Sequence, residues 1–338
     1  MYSQNNSINY KLKIWLISLY SLVALIIMIG GLTRLTDSGL SITSWEVFTG
    51  IFPPLNSTDW INYFELYKLI PEYQKQNYNM TLSEFKFIFW WEWSHRILGR
   101  IIAIVVFVPM IIFAYKSGFW ILKKYSLILF LVLFQGIIGW YMVSSGLSER
   151  TDVSHYRLSM HLVLAFIILS IIFWHYLFLV SNNNNPSHLN HKIIKFFLLL
   201  LFIQLIFGAF VSGMDAGKIY NTWPLMGSSY FPNDNKFINL FNLNSFNDPS
   251  LMQFVHRNFA YLIVLFYIYL LIKVIRNNLR NYFFSFFIIG VALLGQIILG
   301  IFTVLSGAKI LYSSLHQINS IFLISSVIYL LYINKLRK

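Results

Sequence analysis

The chain has 338 residues, of which 57% are hydrophobic and only 11% are charged, whereas roughly 25% of the residues of an ordinary soluble domain are charged. This composition excludes a soluble globular protein and indicates a polytopic membrane protein. The chain has no cysteine, which excludes disulfides, thiolate metal sites, iron–sulfur clusters and cysteine nucleophiles.

Hydropathy predicts eight membrane-spanning helices, since each span needs about 20 mostly apolar residues. The predicted spans are 12–32, 87–115, 121–144, 156–180, 193–213, 252–275, 282–305 and 312–334. Neither a cleavable signal nor an arginine-rich transit peptide is evident before the first span, so we expect a bacterial inner membrane.

The basic residues predict the orientation of the spans. Thirteen of the 25 Lys and Arg residues fall on the side of both termini, with no acidic residue among them. The other side carries the remaining 12 together with all 12 Asp and Glu. By the positive-inside rule the termini are cytoplasmic. The net charge of +13 therefore reflects topology and contact with anionic membrane lipid, and nucleic acid is not an expected partner.

A long outer loop, residues 33–86, follows the first span. Helical spacing of aromatic residues within it predicts a short helix lying on the membrane surface. Those residues are Trp60, Tyr63, Phe64 and Tyr67. The sequence Thr81-Leu82-Ser83-Glu84 has the form of a capping box, so the second long helix is predicted to begin outside the bilayer.

The second span opens with Glu92, His95 and Arg96 in an otherwise apolar stretch. Glu92 and His95 are three residues apart and therefore share a helix face. An ionisable residue in a span is costly without a partner or a task. This stretch is the first candidate functional site.

The chain contains an internal repeat. A polar connection at 181–187 divides it, and several residues recur in the same order on both sides. The matches are Asp37, Gly39 and Trp45 with Asp215, Gly217 and Trp223; His95-Arg96 with His256-Arg257; Gln135 and Gly139 with Gln296 and Gly300; and His161 with His316. We therefore predict an all-α membrane protein of two pseudo-symmetric four-helix bundles in a parallel repeat. The expected units are 1–180 and 193–338, joined by a cytoplasmic linker at 181–192.

Four of the eight histidines sit at duplicated positions, namely His95, His161, His256 and His316. Inward side chains on two helices of a bundle can meet across its core, and two neutral imidazoles suit the axial positions of a haem iron. Zinc is less suitable, because two histidines leave a tetrahedral site half filled. A single membrane histidine is more often a helix-packing residue, but the duplication favours haem. The remaining histidines receive no role.

Arg96 and Arg257 each follow a candidate ligand. They are candidates for binding haem propionates, and snorkelling to the lipid headgroups is the equally weighted alternative. Gln135, Gln204 and Gln296 each precede a glycine by four residues, which we interpret as helix packing.

Glu92 distinguishes the two halves, since Gln253 stands at the matching position. The structural alternative is that Glu92 pairs with an arginine such as Arg96. The functional interpretation places a carboxylate beside one haem pocket and not beside the other. One haem would then be a reactant and the other a fixed electron carrier.

With these residues assembled, the whole chain resembles the haem A synthase family, in its proteobacterial and mitochondrial branch. The resemblance rests on the motifs GGLTRLTDSGLSI at 30–42, EWSHR at 92–96, MDAG at 214–217, NTWPLM at 221–226, VHR at 255–257 and SLHQ at 314–317. Relatives from Gram-positive bacteria carry a cysteine pair in an outer loop, which this chain lacks.

The resemblance implies conversion of haem O to haem A by two successive oxidations of the C8 methyl group, followed by loss of water to give the formyl group. It implies that His256 and His316 ligate a haem b cofactor, that His95 and His161 face the substrate haem, and that Glu92 is needed for the chemistry. The implied partners are haem O synthase, a ferredoxin-type or other electron donor and, as user of the product, a haem-copper oxidase. Whether the chain forms a homo-oligomer is left open.

Two other functions fit part of the pattern. A two-haem b electron-transfer cytochrome explains the duplicated histidines but gives no reason for Glu92 to occur in one half only. A transporter with Glu92 and His95 as a proton relay leaves the second histidine pair without a task.

Overall fold

The computed structural model describes residues 2–148, 150–180 and 189–335. The helices are α1 (Tyr2–Leu35), α2 (Ser57–Lys68), α3 (Pro71–Lys75), α4 (Leu82–Ser117), α5 (Trp120–Val143), α6 (His155–Val180), α7 (His191–Gly213), α8 (Pro249–Arg276), α9 (Phe283–Leu305) and α10 (Ile310–Ile333). Short 3-10 turns occur at Thr49–Ile51, Ala216–Lys218, Phe237–Phe241, Leu243–Asn247 and Arg280–Tyr282.

Within these ranges, eight helices are long and apolar enough to cross a membrane. They are α1 and α4 to α10, so the predicted all-α membrane protein with eight spans is confirmed. The described backbone divides into two compact units, Met1–Ile168 and Leu169–Lys338. The boundary falls inside α6. The units and pockets predicted from the sequence stay a prediction, and residues 181–188 of the predicted linker lie outside the described residues.

In the first unit, α4 packs against α1 and α5. The indole of Trp15 on α1 donates a hydrogen bond to the carbonyl of Val105 on α4 over 2.7 Å. The same indole makes edge contacts with Phe113 and with Tyr125, the latter on α5. One buried aromatic residue therefore ties three spans together, and its N–H is satisfied by a backbone oxygen.

In the second unit, α7 packs on α8, and α10 packs on α9 and α7. The side-chain amide of Asn319 on α10 donates to the carbonyl of Ala292 on α9 over 2.8 Å. At the far end of α10, Asn334 accepts hydrogen bonds from the hydroxyl of Tyr282 and the N–H of Leu189. Polar side chains thus join helices where apolar packing alone would leave their register free.

Helix α4 begins with the predicted capping box. Thr81 accepts a hydrogen bond from the N–H of Glu84, and the Glu84 carboxylate accepts one from the N–H of Thr81. At 36 residues the helix is about 54 Å long, whereas the hydrocarbon core of a bilayer is about 30 Å thick. The helix is therefore longer than a perpendicular span needs, and the prediction that its first turns lie outside the bilayer stays a prediction.

The predicted short helix in the first long loop forms as α2, but its aromatic face does not lie on the membrane. Trp60, Phe64 and Tyr67 are buried, and they pack with Phe85 and Phe89 of α4. The first turns of α4 supply the apolar surface against which these aromatic residues pack. These residues therefore do not form the membrane-contacting face that the sequence predicted, because α4 covers them. The position of α2 relative to the membrane stays a prediction.

Candidate functional site

The four duplicated histidines form two pairs, one in each unit. The ring centroids of His95 and His161 lie 6.3 Å apart, and those of His256 and His316 lie 6.5 Å apart. A metal ion bound between two imidazole nitrogens, at about 2 Å from each, separates the ring centroids by roughly 6 Å. Both pairs therefore have the spacing that one iron between two histidines requires.

Each of these rings packs against a glycine of a neighbouring helix. A Cβ atom added at the glycine would lie 2.9 to 3.2 Å from the Cε1 atom of the histidine, closer than an ordinary contact. The pairs are Gly30 with His95, Gly139 with His161, Gly208 with His256, and Gly300 with His316. The glycines leave room for the four rings, and any larger residue would push the rings out of place.

The Nδ1 atoms of all four rings are buried and have no hydrogen-bond partner among the described residues. A buried polar atom without a partner costs roughly 1–3 kcal/mol. Such atoms are rare in folded proteins and call for an explanation. Their recurrence at four equivalent places points to a task that all four rings share.

Glutamines one turn before three of these glycines fix the histidine-bearing helices. Gln135 and Gln204 donate hydrogen bonds to the backbone carbonyls of His161 and His256, over 2.9 and 3.0 Å. These carbonyls belong to the residues whose rings contact the glycines. Each glutamine and glycine therefore positions one histidine at two points.

Gln296 differs from the other two glutamines. Its Nε2 lies 3.2 Å from Nε2 of the His316 ring, and its Oε1 accepts a hydrogen bond from Asn319 over 2.8 Å. Asn319 thus orients the amide group of Gln296 towards the ring. At His316 the glutamine therefore contacts the side chain of the histidine, whereas Gln135 and Gln204 contact the backbone.

In the described ranges, no three His, Cys, Asp or Glu side chains are close enough to hold a metal ion. A structural zinc site normally takes four protein ligands. The histidine pairs therefore fit a group that brings its other ligands with it, as haem does.

Glu92 is buried, with 3% of its surface exposed, and its carboxylate accepts four hydrogen bonds. The hydroxyl of Ser41 and the N–H of Ile42 donate to Oε2 over 2.7 and 2.8 Å. Nε and Nη2 of Arg96 donate to Oε1 over 3.0 and 2.7 Å. Because a carboxylate has about four lone-pair positions, this group is fully engaged.

Arg96 also holds the first long loop. Its Nη2 donates to the carbonyl of Ile42 over 2.8 Å and its Nη1 to that of Ser44 over 3.0 Å. One face of the guanidinium group lies over the ring of Trp45, 5.6 Å from its centroid. Arg96 is therefore a clamp between α4 and the loop, in addition to being the ion-pair partner of Glu92.

The second unit repeats this clamp with equivalent residues. Arg257 donates to the carbonyls of Tyr220 and Thr222, both over 2.9 Å. Tyr220 and Thr222 lie 178 residues after Ile42 and Ser44, the same offset that relates Trp45 to Trp223. Each long loop is thus held by the arginine that follows a histidine of its pair.

The backbone of the two long loops also repeats. Asp37 and Asp215 both adopt left-handed conformations, with φ of 50° and 51°. Non-glycine residues seldom take up this conformation, and Asp does so more readily than most. The shared strained position supports the duplication beyond the sequence matches.

Gln253 replaces Glu92 within this repeated frame. Its Nε2 donates to the carbonyl of Tyr220 over 3.0 Å, where Glu92 accepts from the N–H of the matching residue Ile42. Its Oε1 is buried and has no partner in the described part of the chain. The second unit therefore has the same architecture without the carboxylate.

A second buried acid lies in the first long loop. Glu72 on α3 is 3% exposed, and burial raises the pKa of its carboxyl to about 9. The nearby carboxylates of Asp37, Asp152 and Glu92 act in the same direction, and Arg34 opposes them. Glu72 is thus protonated at neutral pH, which reduces the negative charge near Glu92.

The chain matches a protein family and curated relatives over nearly its whole length. The family is COX15-CtaA, described as cytochrome oxidase assembly protein, and the match covers residues 13–328. The chain belongs to this family. The protein named "Heme A synthase" of Pelagibacter ubique is 49% identical over 333 residues, covering 97% of this chain and 98% of that protein. The protein of the same name from Flavobacterium johnsoniae is 40% identical, covering 96% and 98%, and that of Rickettsia felis is 41% identical, covering 95% and 97%.

For this member of the family, the structure brings together both histidine pairs predicted from the sequence, and Glu92 lies one turn from His95. Ligation of a haem by any of the four stays a prediction. The structure places Arg96 and Arg257 on backbone carbonyls of the loops. It also forms the ion pair between Glu92 and Arg96 that the sequence analysis weighed as an alternative.

Sequence reasoning missed the residues that contact the histidine rings. The repeated pattern of glutamine and glycine four residues apart was interpreted as general helix packing, although it marks three of the four ring contacts. Gly30 carries no such signal, since Ile26 stands in place of the glutamine. Ser41, which donates to Glu92, was part of a family motif but had no role.

Proposed function

We propose that this protein is a haem A synthase: it converts haem O to haem A for the assembly of cytochrome oxidase. The reaction consists of two successive hydroxylations of the C8 methyl group of haem O and loss of water to give the formyl group. The family and the relatives named "Heme A synthase" support this proposal over the full chain.

One observation carries the assignment of the reacting site, namely the single carboxylate in a duplicated frame. The arginine clamps, the histidine pairs and the glycine contacts occur in both units. Glu92 occurs only in the first, with Gln253 at the matching place. We assign His95 and His161 to the substrate haem, and His256 and His316 to a haem b cofactor.

Two features of the second pocket support haem b as the proposed cofactor. It offers two buried imidazoles at the right separation, each ring in a space that a glycine leaves open. When bound there, haem b supplies one-electron transfer. The glycines and glutamines of this pocket position its two imidazoles.

We assign Glu92 a proton-accepting role that depends on Ser41. All four acceptor positions of the carboxylate are filled, so one donor must leave before Oε2 can take a proton. The hydroxyl of Ser41 is the donor that can leave, since it also lies 3.5 Å from the carbonyl of Ile88. Rotation of this hydroxyl frees Oε2 while Arg96 keeps the carboxylate in place.

We further propose that the protein resides in a bacterial inner membrane with both termini in the cytoplasm. The basic residues on the side of the termini support this orientation. Haem O synthase is the expected source of the substrate, and a ferredoxin-type or other donor is expected to supply electrons. Because the chain has no cysteine, electrons cannot reach it through a thiol of its own.

The test compares the wild type with Glu92→Gln after coexpression with haem O synthase. Haems are extracted from the purified proteins in acid-acetone and identified by chromatography and mass. The wild type should yield haem b together with haem O or haem A. The variant should yield haem b and haem O but no haem A, because an amide can still bridge the loop but cannot accept a proton.

Glu84→Gln is the matched control, since Glu84 lies on the same helix, is exposed and caps the helix end. It should retain synthesis of haem A. Formation of haem A at the normal rate by Glu92→Gln would refute the role of Glu92. Haem b alone in both the wild type and the variant would instead favour a two-haem electron-transfer cytochrome.

A further inference from the structure

After it leaves Glu92, the first long loop runs along α4 towards the interior of the span. Two arginines of α4, one helical turn apart, bind four backbone carbonyls of the loop. Arg96 binds those of Ile42 and Ser44, and Arg100, one turn further along, binds those of Glu46 and Val47 over 2.5 and 3.1 Å. Gly50 then passes the guanidinium group of Arg100, where an added Cβ would lie 3.2 Å from Nη2.

The register on α4 gives the depth that the loop reaches. Glu92 and Arg100 are eight residues apart, so the loop follows the helix for about 12 Å. Ser117 ends the helix 17 residues after Arg100, which is about 25 Å. The hydrocarbon core is about 30 Å thick, and Lys116 in the last turn marks its far boundary. Arg100, and the loop segment bound to it, therefore lie roughly 5 Å inside the near boundary.

The segment that begins at this contact, residues 47–52, is apolar and exposed; we name it the re-entrant tip. Phe48 and Phe52 have 81% and 73% of their surfaces exposed, and Val47 and Ile51 have 49% and 40%. The tip contains no charged residue. Arg100 holds the backbone at the start of the tip through the carbonyl of Val47. Phe52 lines a small cavity together with Phe89 and Trp93 of α4, and most of its surface is still exposed.

We propose that the re-entrant tip is inserted into the bilayer leaflet that adjoins the first long loop, and that lipid acyl chains cover its exposed side chains. The tip continues a surface of α4 that faces lipid, where Ile101 and Ile104 are 42% and 60% exposed. The four large apolar side chains of the tip would bury their surface in hydrocarbon, whereas in water they would form an unfavourable patch. Arg100 donates hydrogen bonds to the carbonyls of Glu46 and Val47, which would otherwise lack hydrogen bonds in the membrane.

The second long loop has no counterpart of this tip. Tyr261 stands at the position equivalent to Arg100, and its hydroxyl contacts the indole N–H of Trp223 over 3.1 Å. The loop then closes into a compact turn, in which the hydroxyl of Thr222 bonds to the carbonyl of Leu225 and the N–H of Gly227. The insertion is therefore a property of the first unit, where the same loop also contacts Glu92.

The test uses the full chain, which needs no background mutations because it contains no cysteine. Single cysteines are introduced as Phe48→Cys and Phe52→Cys, labelled with an environment-sensitive fluorophore, and reconstituted into phosphatidylcholine vesicles containing a minority of phosphatidylglycerol. Quenching by lipids brominated along the acyl chain is compared with quenching by aqueous iodide. Two tip positions are used so that the test still gives a result if one of the two variants fails to fold.

Two reference variants calibrate the measurement. Ile104→Cys reports a lipid-facing position of α4, and Tyr78→Cys, 63% exposed in the turn before α4, reports the aqueous side of the loop. Labels at the tip should be quenched by brominated lipid as strongly as the label at 104 and should resist iodide. Iodide quenching equal to that at 78, without quenching by brominated lipid, would overturn the proposal.

Discussion

Gly139→Ala should weaken binding of the substrate haem without affecting the cofactor pocket. An added Cβ would lie 3.0 Å from Cε1 of His161 and 3.5 Å from its Nδ1. Ordinary contacts of this kind begin near 3.4 Å, so the ring must move by about 0.4 Å. Gln135 holds the backbone carbonyl of His161 one turn away, so the helix resists moving and the ring takes up the displacement.

The expected size of the effect follows from overpacking energies. Extra methyl groups in a well-packed core cost typically 1–3 kcal/mol. If this cost is borne by the conformation that binds haem, the affinity falls roughly 5- to 140-fold, at about 1.4 kcal/mol per factor of ten. The second unit should be unaffected, because Gly139 contacts only the first histidine pair.

The assay is the ratio of haem O plus haem A to haem b in protein purified after coexpression with haem O synthase. The haem b content serves as the internal reference of each sample, because haem b is expected in the second pocket of the same molecules. Gly136→Ala is the matched control: it lies on the same helix, and its added Cβ meets nothing within 4 Å. Both changes favour the helix equally, by about 1 kcal/mol, so their difference isolates the contact with His161. Equal haem ratios in the two variants would refute the reasoning.

Two further predictions concern the second pocket and the first long loop. Gly300→Ala places a Cβ 3.1 Å from Cε1 of His316 and should lower the haem b content per protein, measured by pyridine haemochromogen; an unchanged haem b content would contradict the role of this contact. Glu72→Gln should change the pH dependence of thermal stability. The carboxyl of Glu72 has a pKa raised by burial from 4.5 to about 9, so between these values the unfolded chain releases a proton that the folded chain keeps. Stability of the wild type relative to the glutamine variant should therefore be lost progressively as the pH rises from about 5 to 9, and the two melting temperatures should converge at pH 4. Parallel melting curves over this range would show that Glu72 is not held protonated.

The spans could be predicted from the sequence because the bilayer imposes a local rule, the length of an apolar helix. The histidine pairing could be predicted because the duplication supplies a second copy of each position. The contacts of Arg96 could not, because its partners are backbone carbonyls of Ile42 and Ser44, and a sequence contains no sign of which carbonyls lie nearby. The same limit applies to the glycine contacts, since a glycine shows only that space is needed and not which ring fills it.

The wrong expectation for the aromatic face of α2 has a different cause. Its aromatic spacing is the same whether the face meets lipid or another helix, so periodicity alone cannot choose between them. The structure shows the neighbour, because the capped N-terminal turns of α4 present Phe85 and Phe89 to α2. The capping box indicates where α4 begins, but it does not indicate which helix packs against its first turns.

The replacement of Glu92 by Gln253 also changes the charge beside the two histidine pairs. In the first unit the carboxylate neutralises Arg96 at 2.7 Å. In the second, Arg257 is held by neutral carbonyls and has no ion-pair partner among the described residues. An uncompensated positive charge stabilises an added electron, and nearby charge is one determinant of a haem's reduction potential. Under the proposed assignment of the two pockets, this charge would favour an added electron in the second unit, whereas Glu92, the proposed proton acceptor, lies in the first.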